Sequence, residues 1–360
     1  MNGQLETLLC EIAGIAVQEG CRAVIAAGDL YDRSNPSPES VAIFDRFVTK
    51  LSESGVALLA VSGNHDSPER VAYLSELLHS AGVYFSPLYD GNVRPVTLTD
   101  EYGEADFWLL PFFRPVNVKA VSAEFTGESY TDAVRWAVER LPINPERRNV
   151  MVTHQFVVGS AAETLSDPEI AGGTGAVSAE VFAPFDYTAL GHLHGAHPVT
   201  KPVIRYCGSP LKCSFAEAAD EKSVTLVELG KKGEVAVRSI PLHPALDLRE
   251  IRGSYAEVTF PEVRYAGNPE DYLRILLTDE NDVPDAVAKL RTIYPNLLRL
   301  GYDNSRTRAA GEFTEIGEDR EADALTPLAV FAELYEIQNN LPPDERVMTL
   351  AEELFREDER

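Results

Sequence analysis

The chain has 360 residues, 57 acidic and 32 basic, for a formal charge of −25. Its 44% hydrophobic and 25% charged composition is that of a globular protein with ample chain for a core. Such acidity excludes a protein that coats nucleic acid by bulk charge, though not an enzyme that meets it through a local basic surface and metal ions.

The first residues, MNGQLETLLCEIAG, lack the basic opening of a signal peptide. Residues 3–20 read as a helix, with Leu5, Leu8, Leu9, Ile12, Ile15 and Ala16 at helical spacing and Gly20 at the end. The run RAVIAAGD follows as a buried parallel strand. Pro36-Ser-Pro-Glu-Ser opens a helix to about Gly55, and VALLAVSGNHD repeats the strand-then-polar-loop pattern. PERVAYLSELLHSAG predicts a third helix, 107–112 a strand, 129–141 a helix and RNVMVTHQF a strand. FDYTALGHLH is one more strand ending in polar residues. Strands at 203–207, 223–228 and 234–240 follow, the last two joined through Gly-Lys-Lys-Gly as a hairpin. Alternation of strand and helix predicts an α/β layered domain over 1–245.

Beyond Pro241 and Pro244, LDLREIRG reads as a connector, and 271–279, 284–294 and 296–303 as a compact strand–helix–strand unit within 246–305. The remainder, 306–360, holds 15 acidic and 6 basic side chains and reads as a linker and a helical tail. In that tail Leu328, Phe331, Leu334 and Tyr335 share one helix face, suited to a partner or to packing within the chain, and Leu350, Leu354 and Phe355 suggest a second short helix. No apolar run approaches the ~18–20 residues of a membrane span. The four cysteines form no C-x-x-C, which suggests free thiols in a reducing cytoplasm.

The chemistry gathers at strand ends, where open α/β sheets bind their ligands. Successive strands end in Gly28-Asp29-Leu30-Tyr31-Asp32, in Gly63-Asn64-His65-Asp66, in His154, and in Gly191-His192-Leu193-His194. Each alone has an ordinary reading: a strand-to-helix turn, a capped loop, a satisfied core histidine, or chance. Together and in order they make a metal centre. His-x-His on a strand puts both rings on one face. Mixed oxygen and imidazole donors suit Mn²⁺, Fe or Zn better than Ca²⁺. His65 is then free to donate to a phosphate oxygen or leaving group, and Asp66 to orient its ring. His79, His197 and His243 lie outside these motifs and read as surface or structural residues.

In these motifs the sequence resembles the calcineurin-like metallophosphoesterases. Three further runs resemble the SbcD family of bacterial DNA nuclease subunits: Asn64-His-Asp-Ser-Pro-Glu-Arg70, Tyr187 to His194, and Arg205-Tyr-Cys-Gly-Ser-Pro210. So does Pro241-Leu-His-Pro followed by Leu248-Arg-Glu-Ile-Arg252. The resemblance implies an α/β sandwich with a small α+β cap and a helical C-terminal tail. It implies a metal-dependent nuclease acting at DNA ends and hairpins in recombination, repair and replication. Asp29 would bridge two divalent ions, Mn²⁺ foremost. Asn64, His154 and His192 would complete one site, and His194 would join Asp29 at the other. His65 would be the catalytic histidine, with Asp66 beside it. The 246–305 unit would face DNA, and the tail would dock on an SbcC-like ATPase. Two nuclease subunits would pair through helices at 36–55 and 68–82 within a heterotetramer. Arg33, Arg70, Arg114 and Lys212 stand near strand ends and would meet phosphates or simply be solvated.

One element of the family pattern is not found. Members open with a strand ending in Asp-x-His, and none occurs before Asp29. The second ion then has only Asp29 and His194, fewer than the three protein ligands usual in a catalytic site. The expectation is an N-terminally incomplete nuclease domain with weak or no Mn²⁺-dependent cleavage. The alternatives are another metallophosphoesterase acting on a small phosphoester, or a non-catalytic interaction subunit.

Overall fold

A computed structural model describes residues 2–159 and 175–308, with isolated positions between 328 and 351. The chain divides into two compact units, Met1–Ala245 and Leu246–Arg360.

The first unit begins with α1 (Asn2–Gln18), which ends just before Gly20 in the left-handed region at φ 66°. Strand β1 (Ala23–Ala27) follows, then α2 (Pro38–Glu53). Ser37 starts α2 by accepting the Ser40 N–H at 3.1 Å, with Pro38 in the first turn. Strand β2 (Ala57–Val61) pairs parallel with β1, and β3 (Val83–Phe85) pairs parallel with β2. Between β2 and β3 the expected single helix over 68–82 is broken. It becomes α3 (Pro68–Val71), α4 (Ser75–Leu78) and a 3₁₀ turn, with Leu74 at φ 60°. Val71 is the one fully buried residue of that segment, so no apolar stripe rewards an unbroken helix.

Strands β4 (Pro95–Asp100) and β5 (Gly103–Leu110) form a hairpin whose first strand the sequence pattern did not disclose. After it come α5 (Pro115–Val121), α6 (Tyr130–Glu139) and β6 (Arg148–Thr153). Two short strands, β7 (Val157–Val158) and β8 (Val177–Ser178), pair with each other. Strands β9 (Tyr187–Leu190), β10 (His197–Pro198) and β11 (Ile204–Tyr206) complete a six-stranded sheet of order β10-β11-β9-β6-β5-β4. Its four inner strands run parallel and both edges antiparallel.

Period-two alternation explains how the two sheets stack. On β2, Leu59 and Val61 face one core and Leu58 and Ala60 another. On β5, Phe107 and Leu109 join Leu59, Val61, Val150 and Val152 between the sheets. Trp108 and Leu110 point the other way, to α5, α6 and Phe182. Helices α1 and α2 cover the outer face of the three-stranded sheet through Ala13, Ala16, Phe47 and Leu51. The result is a helix–sheet–sheet–helix sandwich. The hairpin β12 (Ser223–Leu229) and β13 (Val235–Pro241) lays Val227, Leu229, Val235 and Val237 against the inter-sheet core.

In the second unit the segment expected as a connector is a strand, β14 (Leu248–Gly253). It pairs parallel with β15 (Tyr272–Leu277), which pairs parallel with β16 (Leu297–Tyr302). Alternating Leu248, Glu250 and Arg252 hide the strand signal among charges that meet neighbours in ion pairs, such as Arg274 with Glu250. Short helices α7 (Tyr255–Val258), α8 (Pro261–Arg264) and α9 (Ala286–Arg291) lie in the crossovers. Val258, Leu273, Ile275, Leu277, Leu290, Tyr294 and Leu297 form the core. Leu328, Phe331 and Tyr335 are helical, and the Phe331 and Tyr335 rings lie 6.0 Å apart. Most of the expected linker, with Leu334, Leu354 and Phe355, lies outside the described residues. Among the described residues no helix is long and apolar enough to cross a membrane, and all four cysteines are unpaired.

Candidate metal centre

Four strands of the first unit, β1, β2, β6 and β9, deliver the polar residues at their carboxyl ends. Asp29 and His192 both sit at positive φ, 49° and 97°. For side chains other than glycine this costs about 1–3 kcal/mol each, and such strain persists where surrounding contacts enforce it.

Those contacts are visible. His154, fully buried, places Nε2 3.1 Å from Asp29 Oδ2 and 3.1 Å from Asn64 Oδ1. The same Asn64 Oδ1 lies 3.1 Å from His192 Nδ1. The His154 and His192 rings meet edge-on at 5.3 Å. Asp29, Asn64, His154 and His192 therefore converge on one point.

Their chemistry calls for a cation there. His154 Nδ1 is 2.7 Å from the Ala27 carbonyl oxygen, which can only accept, so Nδ1 carries the proton. In the neutral ring Nε2 is then a lone pair facing two oxygens. A positive charge relieves the repulsion among them, whether a second proton on the His154 ring or a metal ion. The Asp29 carboxyl is pushed up by burial, but His154 and the His65 N–H outweigh this and hold it below the usual range. Burial, with the neighbouring His154, pushes His192 down to about 4, so it stays neutral and able to ligate. The residues present fit a divalent ion.

Glycines make the approach possible. A Cβ on Gly63 would lie 2.1 Å from Asp29 Oδ1, and one on Gly191 only 1.8 Å from the Ala27 oxygen. Both positions are closed to any side chain.

Two expected residues are placed differently. Asp66 does not reach the His65 ring. Its buried carboxylate accepts the backbone N–H groups of Leu30 and Tyr31, each at 3.0 Å, and of Gly63 at 2.9 Å. It ties the β1 loop to the β2 loop, and burial raises its pKa against the lowering by these N–H groups. The three donors are backbone groups that only the fold brings together, which is why the sequence suggested the adjacent imidazole. His65 Nδ1 instead faces the Asp32 carbonyl at 3.0 Å, and its backbone N–H donates to Asp29 Oδ1 at 2.9 Å.

His194 turns to another partner: its Nδ1 is 3.1 Å from Oε1 of Glu217. Glu217 was not singled out from sequence. In the fold it closes a capping box with Ser214. His194, Cys213 and Glu217 bring their ligand atoms within 4.8 Å of one another. Burial raises the Glu217 pKa, but His194 and Lys222 outweigh it and hold the group at about 2. Of the basic residues near strand ends, Arg33 pairs with Asp32 at 2.7 Å. Arg70 grips Ser34 O and Asn35 Oδ1, and Lys212 donates to Ala218 O.

A profile described as calcineurin-like phosphoesterase matches residues 1–195, and one described as type 5 capsule protein repressor C-terminal domain matches 244–339. The chain is 30% identical over 280 residues to the SbcD subunit of the SbcCD nuclease of Staphylococcus saprophyticus, covering 77% of this chain and 73% of that protein. The protein of the same name from Staphylococcus epidermidis is 28% identical over 280 residues, covering 77% of this chain and 74% of its own. Among solved structures, phosphopantetheinyl hydrolase of Mycobacterium tuberculosis covers 51% of this chain and 77% of its own at 17% identity, with a TM-score of 0.31. That score is too low to carry an argument. The chain is a calcineurin-like phosphoesterase, a metal-dependent phosphoester hydrolase by family. Within that class it belongs to the SbcD family of nuclease subunits.

Proposed function

We propose that the chain is the nuclease subunit of an SbcC–SbcD-type complex, hydrolysing phosphodiesters at DNA ends and hairpins. The observation that carries the reading is the convergence of Asp29, Asn64, His154 and His192 at four strand ends, a set of oxygen and nitrogen donors that suits a cation. In this reading those four residues hold one ion, and Asp29 with His194 contributes to a second. Mixed oxygen and imidazole donors suit Mn²⁺, Fe or Zn, and the resemblance puts Mn²⁺ first. Bound there, divalent ions supply Lewis acidity to a phosphoryl oxygen and acidify a water.

The remaining work falls to the chain's own residues. His65 is exposed at the rim, and the Asp32 carbonyl keeps the proton on Nδ1. That leaves Nε2, when it is protonated, to donate to a phosphate oxygen or to give its proton to the leaving oxygen. Asp66 acts by holding both loops in place. The cap at 246–305 would face DNA. Its Arg249 and Arg252 are already paired with Asp271 and Asp303, so phosphate contact falls to exposed groups such as Arg299. The tail would dock on the ATPase through the Leu328, Phe331 and Tyr335 face. Exposed Tyr73, Leu74 and Leu77 support pairing of two nuclease chains through the 68–82 segment.

The test is Mn²⁺-dependent cleavage of a DNA hairpin by the chain with its ATPase partner, a cleavage expected to be weak because Asp29 and His194 alone leave the second ion short of ligands. Loss in His154→Gln and at least a ~10²-fold drop in His65→Gln are expected. Cleavage of a small phosphodiester but not of DNA, with the partner present, would refute the reading.

A further inference from the structure

The geometry points to Glu217 as a positioning residue for His194: its buried carboxylate accepts a hydrogen bond from the protonated Nδ1 and so presents the Nε2 lone pair to a metal ion. The inference deepens the proposed function, because it rests on His194 being a ligand there.

The carboxylate is held from all sides. Oε1 lies 3.1 Å from His194 Nδ1 and accepts the N–H groups of Cys213 at 3.2 Å and Ser214 at 3.0 Å, and the Ser214 hydroxyl at 3.1 Å. Oε2 accepts the Lys222 ammonium at 2.6 Å and the Ser209 hydroxyl at 3.4 Å. Glu217 and Lys222 are each only 7% exposed. A buried pair of this kind is neutral as a unit and loses little freedom when the histidine docks on it.

Lys222 does a second thing. Its Nζ also donates to the His194 backbone carbonyl at 2.9 Å. The histidine is therefore held twice by one ion pair, by its main chain through Lys222 and by its ring through Glu217. A closed ring of contacts fixes both where the imidazole starts and which way it turns.

The tautomer follows. An ionised carboxylate only accepts, so the neutral imidazole that faces it must carry its proton on Nδ1. Nε2 is then the ligating atom, in the carboxylate–histidine–metal arrangement that orients many metal-binding histidines.

A competing reading makes His194, Cys213 and Glu217 a cation site of their own, since their ligand atoms lie within 4.8 Å. The charges decide against it. A cation on Oε1 would displace the N–H groups of Cys213 and Ser214 and meet the Lys222 ammonium bound to the same carboxylate. Glu217 is better placed as an acceptor.

The test reads the tautomer directly, in metal-free full-length protein labelled with ¹⁵N-histidine at neutral pH. The His194 signals are assigned by their loss in His194→Gln. The expectation for wild type is a protonated Nδ1 and an unprotonated Nε2. Glu217→Gln should lose that preference and weaken Mn²⁺ binding about 10–100-fold, read by calorimetry. Lys222→Met breaks the same buried ion pair but leaves the carboxylate on Nδ1, so it should keep the tautomer. A proton on Nε2 in wild type overturns the proposal even if Glu217→Gln fails to fold. So does an unchanged tautomer in Glu217→Gln, or an equal change in Lys222→Met. If the tautomers behave as expected but His194→Gln binds as much Mn²⁺ as wild type, His194 is no ligand. That result overturns the presentation of Nε2 while leaving the other four ligands untouched.

Discussion

Replacing Gly191 by alanine should damage the metal centre although residue 191 is itself no ligand. The added Cβ would stand 1.8 Å from the Ala27 oxygen and 2.8 Å from His154 Nδ1. Relief to an ordinary carbon–oxygen contact requires the Ala27 carbonyl and residue 191 to part by about 1.5 Å. That carbonyl accepts from His154 Nδ1 at 2.7 Å, so a displacement of that size takes the pair well outside hydrogen-bond range. Overpacking costs about 1–3 kcal/mol. A buried donor left unpaired costs about 1–3 kcal/mol more. The sum, about 2–6 kcal/mol, is a large part of the ~5–15 kcal/mol typical of a folded protein. Loss of the bond that orients His154 should also weaken Mn²⁺ binding about 10–100-fold. Urea unfolding of the metal-free protein and calorimetric Mn²⁺ titration measure the two effects. Gly195→Ala is the control: its Cβ would meet nothing nearer than His197 Nδ1 at 4.0 Å, and a change within about 0.5 kcal/mol is expected. If Gly191→Ala stays within about 0.5 kcal/mol of wild type and binds Mn²⁺ within about twofold, the approach of residue 191 to the Ala27 carbonyl is not what orients His154.

Asp66→Asn keeps one acceptor oxygen where three N–H groups converge, and should cost about 2–4 kcal/mol in urea unfolding; His65 ring tautomer and backbone contacts should stay as they are, since Asp66 does not touch that ring. His192 is held down at about 4, so the native state favours its neutral form. The stability this gives is complete above about 6.5 and lost as pH falls toward about 4. Stability of the metal-free protein should fall over that window, and His192→Gln should flatten the fall; an unchanged slope would count against burial as the cause. Leu290→Ala, at a fully buried position of the second unit, should cost that unit about 2–5 kcal/mol. Mn²⁺ binding by the first unit should be unaffected, as checked by calorimetry on the same samples.

How much of this was legible in the sequence depends on distance along the chain. Each of the four motifs directly follows an apolar strand, so the motifs could be placed together from strand ends, while the choice of Asp29, Asn64, His154 and His192 among their residues came from the resemblance. The α/β layering was legible for the same reason, since β2, β5 and β6 read as short continuous apolar runs, and the sandwich of two sheets was implied by the resemblance. What stayed hidden is what the fold alone assembles. Asp66 reaches across to Leu30 and Tyr31, 36 and 35 residues away. Glu217 meets His194 from 23 residues away, a contact that no local pattern announces. Strand β14 carries Arg249, Glu250 and Arg252, charges whose carboxylate and guanidinium partners come from neighbouring elements. The break at Leu74 follows from what the 68–82 segment fails to bury, a tertiary fact.

The Asp66 clamp has a bearing on how the protein trades its ions. Because this carboxylate already laces the two loops together by three backbone N–H groups, the cradle does not wait for a metal to shape it. Loading then exchanges hydration water for side-chain donors and little else. An ion bound there would then leave or be replaced without the two loops unravelling, and the metal-free protein would keep the shape of the cradle.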